Sequence, residues 1–479
     1  MPAKPVRLWS DFLAEAFNKS SSLDASNRIF NRPTFFNEFL SVEDSVVDLF
    51  LETMKFINNQ RLILLPRPEC WGKRYFFDKV KGRPDAILCS ADNEELLKSG
   101  EASRVLAIVE AKPDQLISTF LEDGLSLHEA YNRAASMIDD GTTAFTKNQR
   151  LIRIVRQTFG YMVVNDLRYG LLTTYVRTWF FCRDRKNPNI IYISPEVHLD
   201  QNHTSTQPSF LECMYYLETL STEDRTAHSS PPTDSPPTDS DDGNNKKDDK
   251  SESSSEEENP KRKSSKRKWG TLKVITRSMA RKKRDDSKGE NLEDMKNYER
   301  SQFSFGDVLG NGRSGVVFAV KLCGEVGALK MVELYKNEYL LKEILNEIKI
   351  YLGPLMDIQG IYTPKLLKFG ILYEVFVFAL TSLSGKSFAE LDDITEREKQ
   401  LAIEGLQAIH ARGVMHGDVR IENIMVDRSK SIRKSRVRWI DFAWSKTGRD
   451  SKDFNRELIE LRSLLGMTGR LYACIRISF

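Results

Sequence analysis

His416, Asp418, Arg420 and Asn423 fall in the pattern H-x-D-x-R-x-x-N, and the apolar run Val437–Ile440 ends in Asp441-Phe442-Ala443. Transfer of a phosphoryl group to a hydroxyl needs positioned charge more than covalent chemistry. Asp418 would accept or orient the attacking hydroxyl, while Asn423 and Asp441 would hold Mg²⁺ against nucleotide phosphates. A second constellation lies far upstream: Asp85 after Pro84, then Glu110-Ala111-Lys112 at the end of an apolar run. Side chains alternate along a strand, so Glu110 and Lys112 share a face. Asp85 and Glu110 could hold Mg²⁺, which would lower the pKa of a water for attack on a phosphodiester. Lys112 could orient the hydroxide or stabilise the pentavalent phosphate. The plain alternative is an exposed Glu/Lys salt bridge at a strand end.

Elements upstream of Asp418 give the first constellation its weight. Gly310, Gly312 and Gly315, with Val317, make G-x-G-x-x-G-x-V, followed directly by an apolar strand. Glycines let backbone approach phosphates closely, and a strand in place of a helix disfavours a dinucleotide-binding βαβ unit. Lys330 sits inside the apolar strand 327–332, where an unpaired ammonium is costly. Its partner should come from the amphipathic helix that begins near Asn337. Glu347 is the first choice and Glu343, one turn earlier, the second. Residues 372–383 read as one strand running into a Ser/Gly connector over which an adenine ring would lie. A helix over 396–411 leads into the His416 loop, and 424–426 with 437–440 reads as a hairpin presenting the acids at its ends.

The chain has 479 residues, with 40% hydrophobic and 10% aromatic residues, which is too long for one ordinary core and suits two or three domains. The balance of 71 basic and 68 acidic residues leaves a net charge of +3, which says little about partners. Residues 33–220 mix helical and strand patterns: an amphipathic helix over 35–54, strands at 82–88 and 105–112, helices over 125–138 and 148–164, and strands at 171–176, 178–182 and 190–193. That alternation is expected of an α/β domain. Between 226 and 300 comes a Ser/Pro repeat, an acidic run, and basic clusters at 261–263, 266–268 and 281–284. Such a stretch buries too little apolar surface to offset its ordering entropy and reads as a disordered linker. Its basic clusters suit nuclear import or a nucleic-acid patch, or simply a solvated linker. The six cysteines lack metal-ligand spacing, and most are expected to be small buried residues in a reducing compartment. No apolar run approaches the roughly 20 residues that cross a bilayer, and residues 1–10 lack a secretory core. The expected location is nucleus or cytoplasm, and export as an effector would have to proceed without a signal peptide.

The ordered set of Gly-rich loop, strand lysine, helix glutamate, H-x-D-x-x-x-x-N and D-F resembles the protein-kinase family over residues 303–479. The resemblance implies ATP with Mg²⁺: Lys330 on the α/β-phosphates, Asp418 as base, and Asn423 and Asp441 as metal ligands. Arg420 stands where typical members carry a phosphate-contacting lysine. Three departures stand out. Gly417 replaces the usual arginine, as in lipopolysaccharide-kinase-like and aminoglycoside-phosphotransferase-like relatives, which argues against gating by activation-loop phosphorylation. Ala443 replaces the glycine of D-F-G. No A-P-E follows, and 453–465 reads as a single closing helix of a shortened lobe, which puts peptide binding in question more than ATP binding.

Asp85, Glu110 and Lys112 resemble the PD-(D/E)xK nuclease superfamily over about 33–200, with Gln157 and Tyr161 matching the Q-x-x-x-Y of some members. Lys73, Arg74, Arg83, Arg150, Arg153 and Arg156 could track a nucleic-acid backbone or simply solvate the surface. The order of domains is similar to Crinkler-type effectors of fungi and oomycetes, although the N-terminal header of many Crinklers is not evident. The expected fold is therefore multidomain, α/β plus α+β. It comprises a restriction-endonuclease-like α/β domain at 33–220, a disordered linker at 226–300 and a shortened protein-kinase-like fold at 303–479. The leading functional expectation is an ATP-dependent kinase acting on Ser/Thr hydroxyls of a protein substrate. The alternatives are a Mg²⁺-dependent DNA or RNA nuclease with a regulatory kinase-like domain, and a non-catalytic ATP-binding scaffold.

Overall fold

A computed structural model describes residues 6–21, 42–64, 69–73, 80–90, 104–121, 124–137, 142–224, 295–312, 315–428 and 435–467. The Ser/Pro repeat and basic clusters of the linker, the start of the 35–54 helix, Arg74, the tip of the Gly-rich loop at 313–314 and the segment from 468 onward lie outside the described residues.

The apolar runs of the first half build one sheet flanked by helices. In chain order the elements are β1 (Val6–Leu8), α1 (Phe12–Ser21), α2 (Glu43–Leu64), β2 (Glu69–Gly72), β3 (Ala86–Ser90), β4 (Arg104–Ala111), α3 (Asp114–Ser118), α4 (Leu127–Ser136) and α5 (Thr143–Val164). They continue as β5 (Tyr169–Thr173), β6 (Arg177–Arg183), β7 (Ile191–Ile193), β8 (Val197–His198) and α6 (Phe210–Glu223). The strands order as β1-β7-β6-β5-β4-β3-β2, with β8 beside β6. β4 and β5 run parallel, joined across α4 and α5, as a crossover connection requires. Central β4 is buried on both faces from Val105 to Ala111, so its near-continuous hydrophobicity is expected and its one buried acid, Glu110, stands out. The helix expected over 148–164 starts earlier because Thr142 caps it, accepting the Phe145 amide at 3.2 Å.

The second half follows with β9 (Asn297–Tyr298), β10 (Phe303–Gly312), β11 (Gly315–Leu322), β12 (Glu325–Glu333), α7 (Glu338–Leu352), β13 (Leu366–Leu372) and β14 (Phe376–Thr381), whose sheet order is β10-β11-β12-β14-β13-β9. A smaller helical part holds β15 (Lys386–Ser387), α8 (Glu396–His410), β16 (Val414–Met415), β17 (Ile424–Asp427), β18 (Arg436–Trp439), β19 (Lys446–Thr447) and α9 (Ser451–Leu464). The expected single strand at 372–383 is instead the turn and second strand of a hairpin. Tyr373 and Glu374 both take positive φ (53° and 59°), and the Val375 amide donates to the Leu372 carbonyl at 3.1 Å, closing a tight turn between the strands. The 424–426 and 437–440 hairpin forms, with Ile424 opposite Trp439 and Val426 opposite Val437.

The two halves share apolar packing. Phe12, Phe50, Phe180 and Leu217 fill the core between one face of the first sheet and α1, α2 and α6. On the other face, Ile108, Leu151, Tyr161 and Trp179 join one cluster with Tyr298, Val375 and Phe376 of the second half. Gly160 of α5 lies so close to Val375 that a Cβ would sit 2.8 Å from its side chain. Among the described residues no helix is long and apolar enough to cross a membrane.

Candidate functional site

Antiparallel pairing of β11 with β12 sets Val317 opposite Lys330, under the hairpin that carries Gly310, Gly312 and Gly315. Lys330 Nζ lies 2.9 Å from Glu347 Oε2 and 2.8 Å from Asp441 Oδ1. Of the two helix candidates, then, Glu347 meets the lysine, while Glu343 accepts from Trp444 Nε1 at 3.0 Å. Burial alone would lower the Lys330 pKa, but the Glu347 and Asp441 carboxylates prevail and hold it above its ordinary value. Burial raises Glu347 despite Lys330, whereas Lys330 holds Asp441 below the usual carboxylate range against its own burial. The net effect is an ammonium that stays charged at every physiological pH.

Asp418 sits on the other side of the same loop system. Asn423 Nδ2 donates to Asp418 Oδ2 and to the Asp418 carbonyl, each at 2.9 Å, and Arg420 lies 2.8 Å from Asp418 Oδ2. The Ile440 amide donates to the Asn423 carbonyl at 3.0 Å, so Asn423 and Asp441 are fixed on adjoining backbone. This donor set fits Mg²⁺. Asn423 spends its amide N–H groups on Asp418, which leaves its oxygen, with the Asp441 carboxylate, as hard ligands. Asp441 itself takes φ of 62°, a strained conformation for a residue with a Cβ. Ser382 to Gly385 follow β14 where the connector was expected, and Gly385 has φ of +88° with no room for a Cβ against Val426 O.

Sequence reading missed what holds this loop. His416 is fully buried; its Nε2 bonds the Ile440 carbonyl at 3.0 Å, and its Nδ1 accepts from the Asp418 amide at 3.3 Å. Burial lowers its pKa, in keeping with a neutral ring protonated at Nε2. Glu457, on the closing helix α9, accepts the His416 amide at 3.0 Å, the Gly417 amide at 2.6 Å and His410 Nε2 at 2.8 Å. Tyr351, Phe442, His416 and Trp439 contact one another in sequence, edge-on or tilted, with centroid separations of 5.3, 5.1 and 4.9 Å. Asn346 of α7 donates to the carbonyls of Phe442, Ala443 and Ser445, which ties the helix carrying Glu347 to the Asp441 segment.

The second constellation also converges. Lys112 Nζ bonds Glu110 Oε1 at 2.6 Å, as their shared face requires, and Asp85 Oδ2 accepts the Ala111 amide at 2.8 Å. Glu43, at the start of α2, bonds Lys112 at 2.8 Å; no local pattern marked it. Glu43, Asp85 and Glu110 bring carboxylate oxygens within 4.8 Å of one another, a set of hard donors that fits a divalent cation. Burial and the Asp85 charge push Glu110 up to about 8, while the lysines pull the other way. Gln157 Nε2 donates to Tyr161 Oη at 3.1 Å, and Tyr161 donates to the Arg83 carbonyl, also at 3.1 Å. The expected phosphate-tracking row is partly occupied: Arg156 pairs with Glu374, Arg153 lies 5.1 Å over the Tyr335 ring, and Lys73 pairs with Asp48 at 2.9 Å.

Residues 303–462 match the family model of the protein kinase domain, so the C-terminal region carries a protein kinase domain. The chain is also similar to the Aurora kinase of Candida albicans, 28% identical over 155 residues that cover 30% of this chain. The match spans 28% of that relative's own length.

Proposed function

We propose that the chain is an ATP-dependent phosphotransferase of protein-kinase type, acting on serine or threonine hydroxyls. The observation that carries this reading is the Lys330 ammonium held between Glu347 and Asp441, with Asp441 tied through the Ile440–Asn423 backbone hydrogen bond to the Asp418–Asn423–Arg420 loop. A nucleotide with Mg²⁺ would supply the transferable phosphoryl group and the charge that screens it. Lys330 would engage the α/β-phosphates in place of part of its contact with Asp441. Asn423 and Asp441 would hold the metal, and Asp418 would orient the acceptor hydroxyl and take its proton. Arg420, beside Asp418, would offset charge on the phosphoryl oxygens. Replacing Asp418 by Ala should abolish transfer to a generic acceptor while leaving nucleotide binding in place; undiminished transfer would sink the reading.

A second reading belongs to the N-terminal unit. The grouping of Glu43, Asp85 and Glu110 with Lys112 favours metal-dependent phosphodiester hydrolysis, as in the PD-(D/E)xK superfamily. Cleavage that requires a divalent metal and is lost in Lys112→Ala supports it, and cleavage indifferent to that change counts against it. The order of a nuclease-like unit, a charged stretch and a kinase-like unit supports placing the chain beside Crinkler-type effectors. The basic clusters at 261–263, 266–268 and 281–284 support nuclear import.

A further inference from the structure

Lys336 belongs to the kinase-like half, between β12 and α7, yet its ammonium lies in the acidic cluster of the first half. Its Nζ is 2.5 Å from Asp85 Oδ1, 3.8 Å from Glu110 Oε2 and 3.9 Å from Glu43 Oε1, and it donates to the Arg83 carbonyl at 2.7 Å. The ammonium thus touches the same three carboxylates that could gather around a cation. Glu110 Oε2 is buried and accepts no hydrogen bond among the described residues. With Lys336 beyond hydrogen-bond reach, that oxygen is under-satisfied, and a buried acceptor left in this way favours a closer cation.

We propose that Lys336 is an interdomain plug: a divalent cation and the Lys336 ammonium compete for the Glu43–Asp85–Glu110 cluster, so metal loading and docking of the kinase-like lobe oppose each other. The inference rests on the metal-site reading of the N-terminal unit. Charge disfavours both occupants at once. Three carboxylates face two ammonium groups, Lys112 and Lys336, so the fully ionised set carries one negative charge with Lys336 present and two without it. A divalent ion coordinates carboxylate oxygen at about 2.0–2.6 Å, so it would sit inside the contact shell that Lys336 now fills. A cavity of about 200 Å³, lined by Arg83, Met331, Lys336 and Leu340, gives a displaced lysine side chain somewhere to go.

Lys336 is also a docking contact. Nearby, the Arg83 amide donates to Glu333 at 2.5 Å, and Arg156 of α5 pairs with Glu374 of the second half. Any ligand that binds only the undocked cluster must shift the docking equilibrium by its differential affinity, and docking must weaken that ligand by the same factor. The lobe that carries Lys330 and Glu347 would then respond to metal bound on the other unit.

The test is calorimetric titration of Mn²⁺ into the full chain and three variants. Lys336→Met keeps the apolar stem but removes the charge, Glu374→Gln weakens docking away from the cluster, and Glu110→Gln weakens the site itself. The expected result is at least tenfold tighter Mn²⁺ binding in Lys336→Met and tightening in Glu374→Gln, with binding lost in Glu110→Gln. Mn²⁺ should also speed amide exchange over residues 331–340 in the wild type. Equal affinity in wild type and Lys336→Met, with Glu110→Gln silent, overturns the plug while leaving the metal site standing. No binding in any protein removes the metal reading, and with it the competition, leaving Lys336 as a structural bridge.

Discussion

Glu457 Oε1 accepts the Gly417 amide at 2.6 Å, joining the last described helix to the loop that carries Asp418. One carboxylate there satisfies two backbone amides and the His410 ring, and Glu457, His410 and His416 are all buried. Its charge is kept because these donors hold Glu457 below the usual range against its own burial.

Replacing Glu457 by Ala therefore leaves buried donors at His416, Gly417 and His410. Each unsatisfied group costs about 1–3 kcal/mol, so a loss of at least about 3 kcal/mol is expected in urea unfolding of the C-terminal unit. Transfer activity should fall with it, because the loop loses its tether. A change of only a few tenths of a kcal/mol would mean that water replaces the carboxylate without cost.

Gly417 is the departure from the kinase pattern that geometry explains. Its φ is +83°, and a Cβ built there would lie 2.4 Å from the Trp444 carbonyl. The left-handed conformation alone costs a non-glycine residue about 1–2 kcal/mol, and the clash falls on backbone that cannot rotate away. Gly417→Ala should destabilise the unit by about 2 kcal/mol or more and displace Asp418. Restoring the family's arginine should be no milder, an outcome that thermal melting of both variants would check.

Lys330→Met should expose the balance among the three charges. Glu347 is buried, and stripping a buried ion pair of its cation costs about 3–5 kcal/mol. The double variant Lys330→Met with Glu347→Gln should recover much of that loss, since the orphaned charge is gone. Additive losses in such a double-mutant cycle would show that the pair is not coupled.

His416 predicts a pH dependence. Its folded pKa lies below the ordinary value of 6.5 through burial. The unfolded chain then binds more protons below that pH, so the stability contributed by the neutral ring is full above 6.5. It is lost as pH falls through the depressed folded value. Urea midpoints should decline more steeply from pH 7 to about pH 5 in the wild type than in His416→Phe. Parallel profiles would place the proton elsewhere.

Much of this arrangement was legible in the sequence because two periodicities fixed it. A lysine in an apolar strand must find an anion, and a helix follows it; the ambiguity between Glu347 and Glu343 was one helical turn, resolved only by how α7 is rotated. Glu110 and Lys112 were placed on one face by strand alternation alone. The split at Tyr373–Glu374 was hidden because neither residue is the Gly, Asn or Asp that usually marks such a turn. Glu43, Glu457 and Lys336 carried no local signal. Each acts through a partner tens or hundreds of residues away, and only packing brings them together. The arginines at 153 and 156 looked like a polyanion track, yet contact the kinase-like half.

Phosphoryl transfer is expected from the centre built on Lys330, Asp418, Asn423 and Asp441. Incubating the full chain with Mg²⁺, γ-labelled ATP and a generic acceptor, in wild type and Asp441→Asn, tests it most directly. Label should appear on the acceptor or on the chain in the wild type and fall to background in Asp441→Asn. No label in the wild type while ATP is bound, or equal label in both proteins, would mean that this centre does not transfer the phosphoryl group.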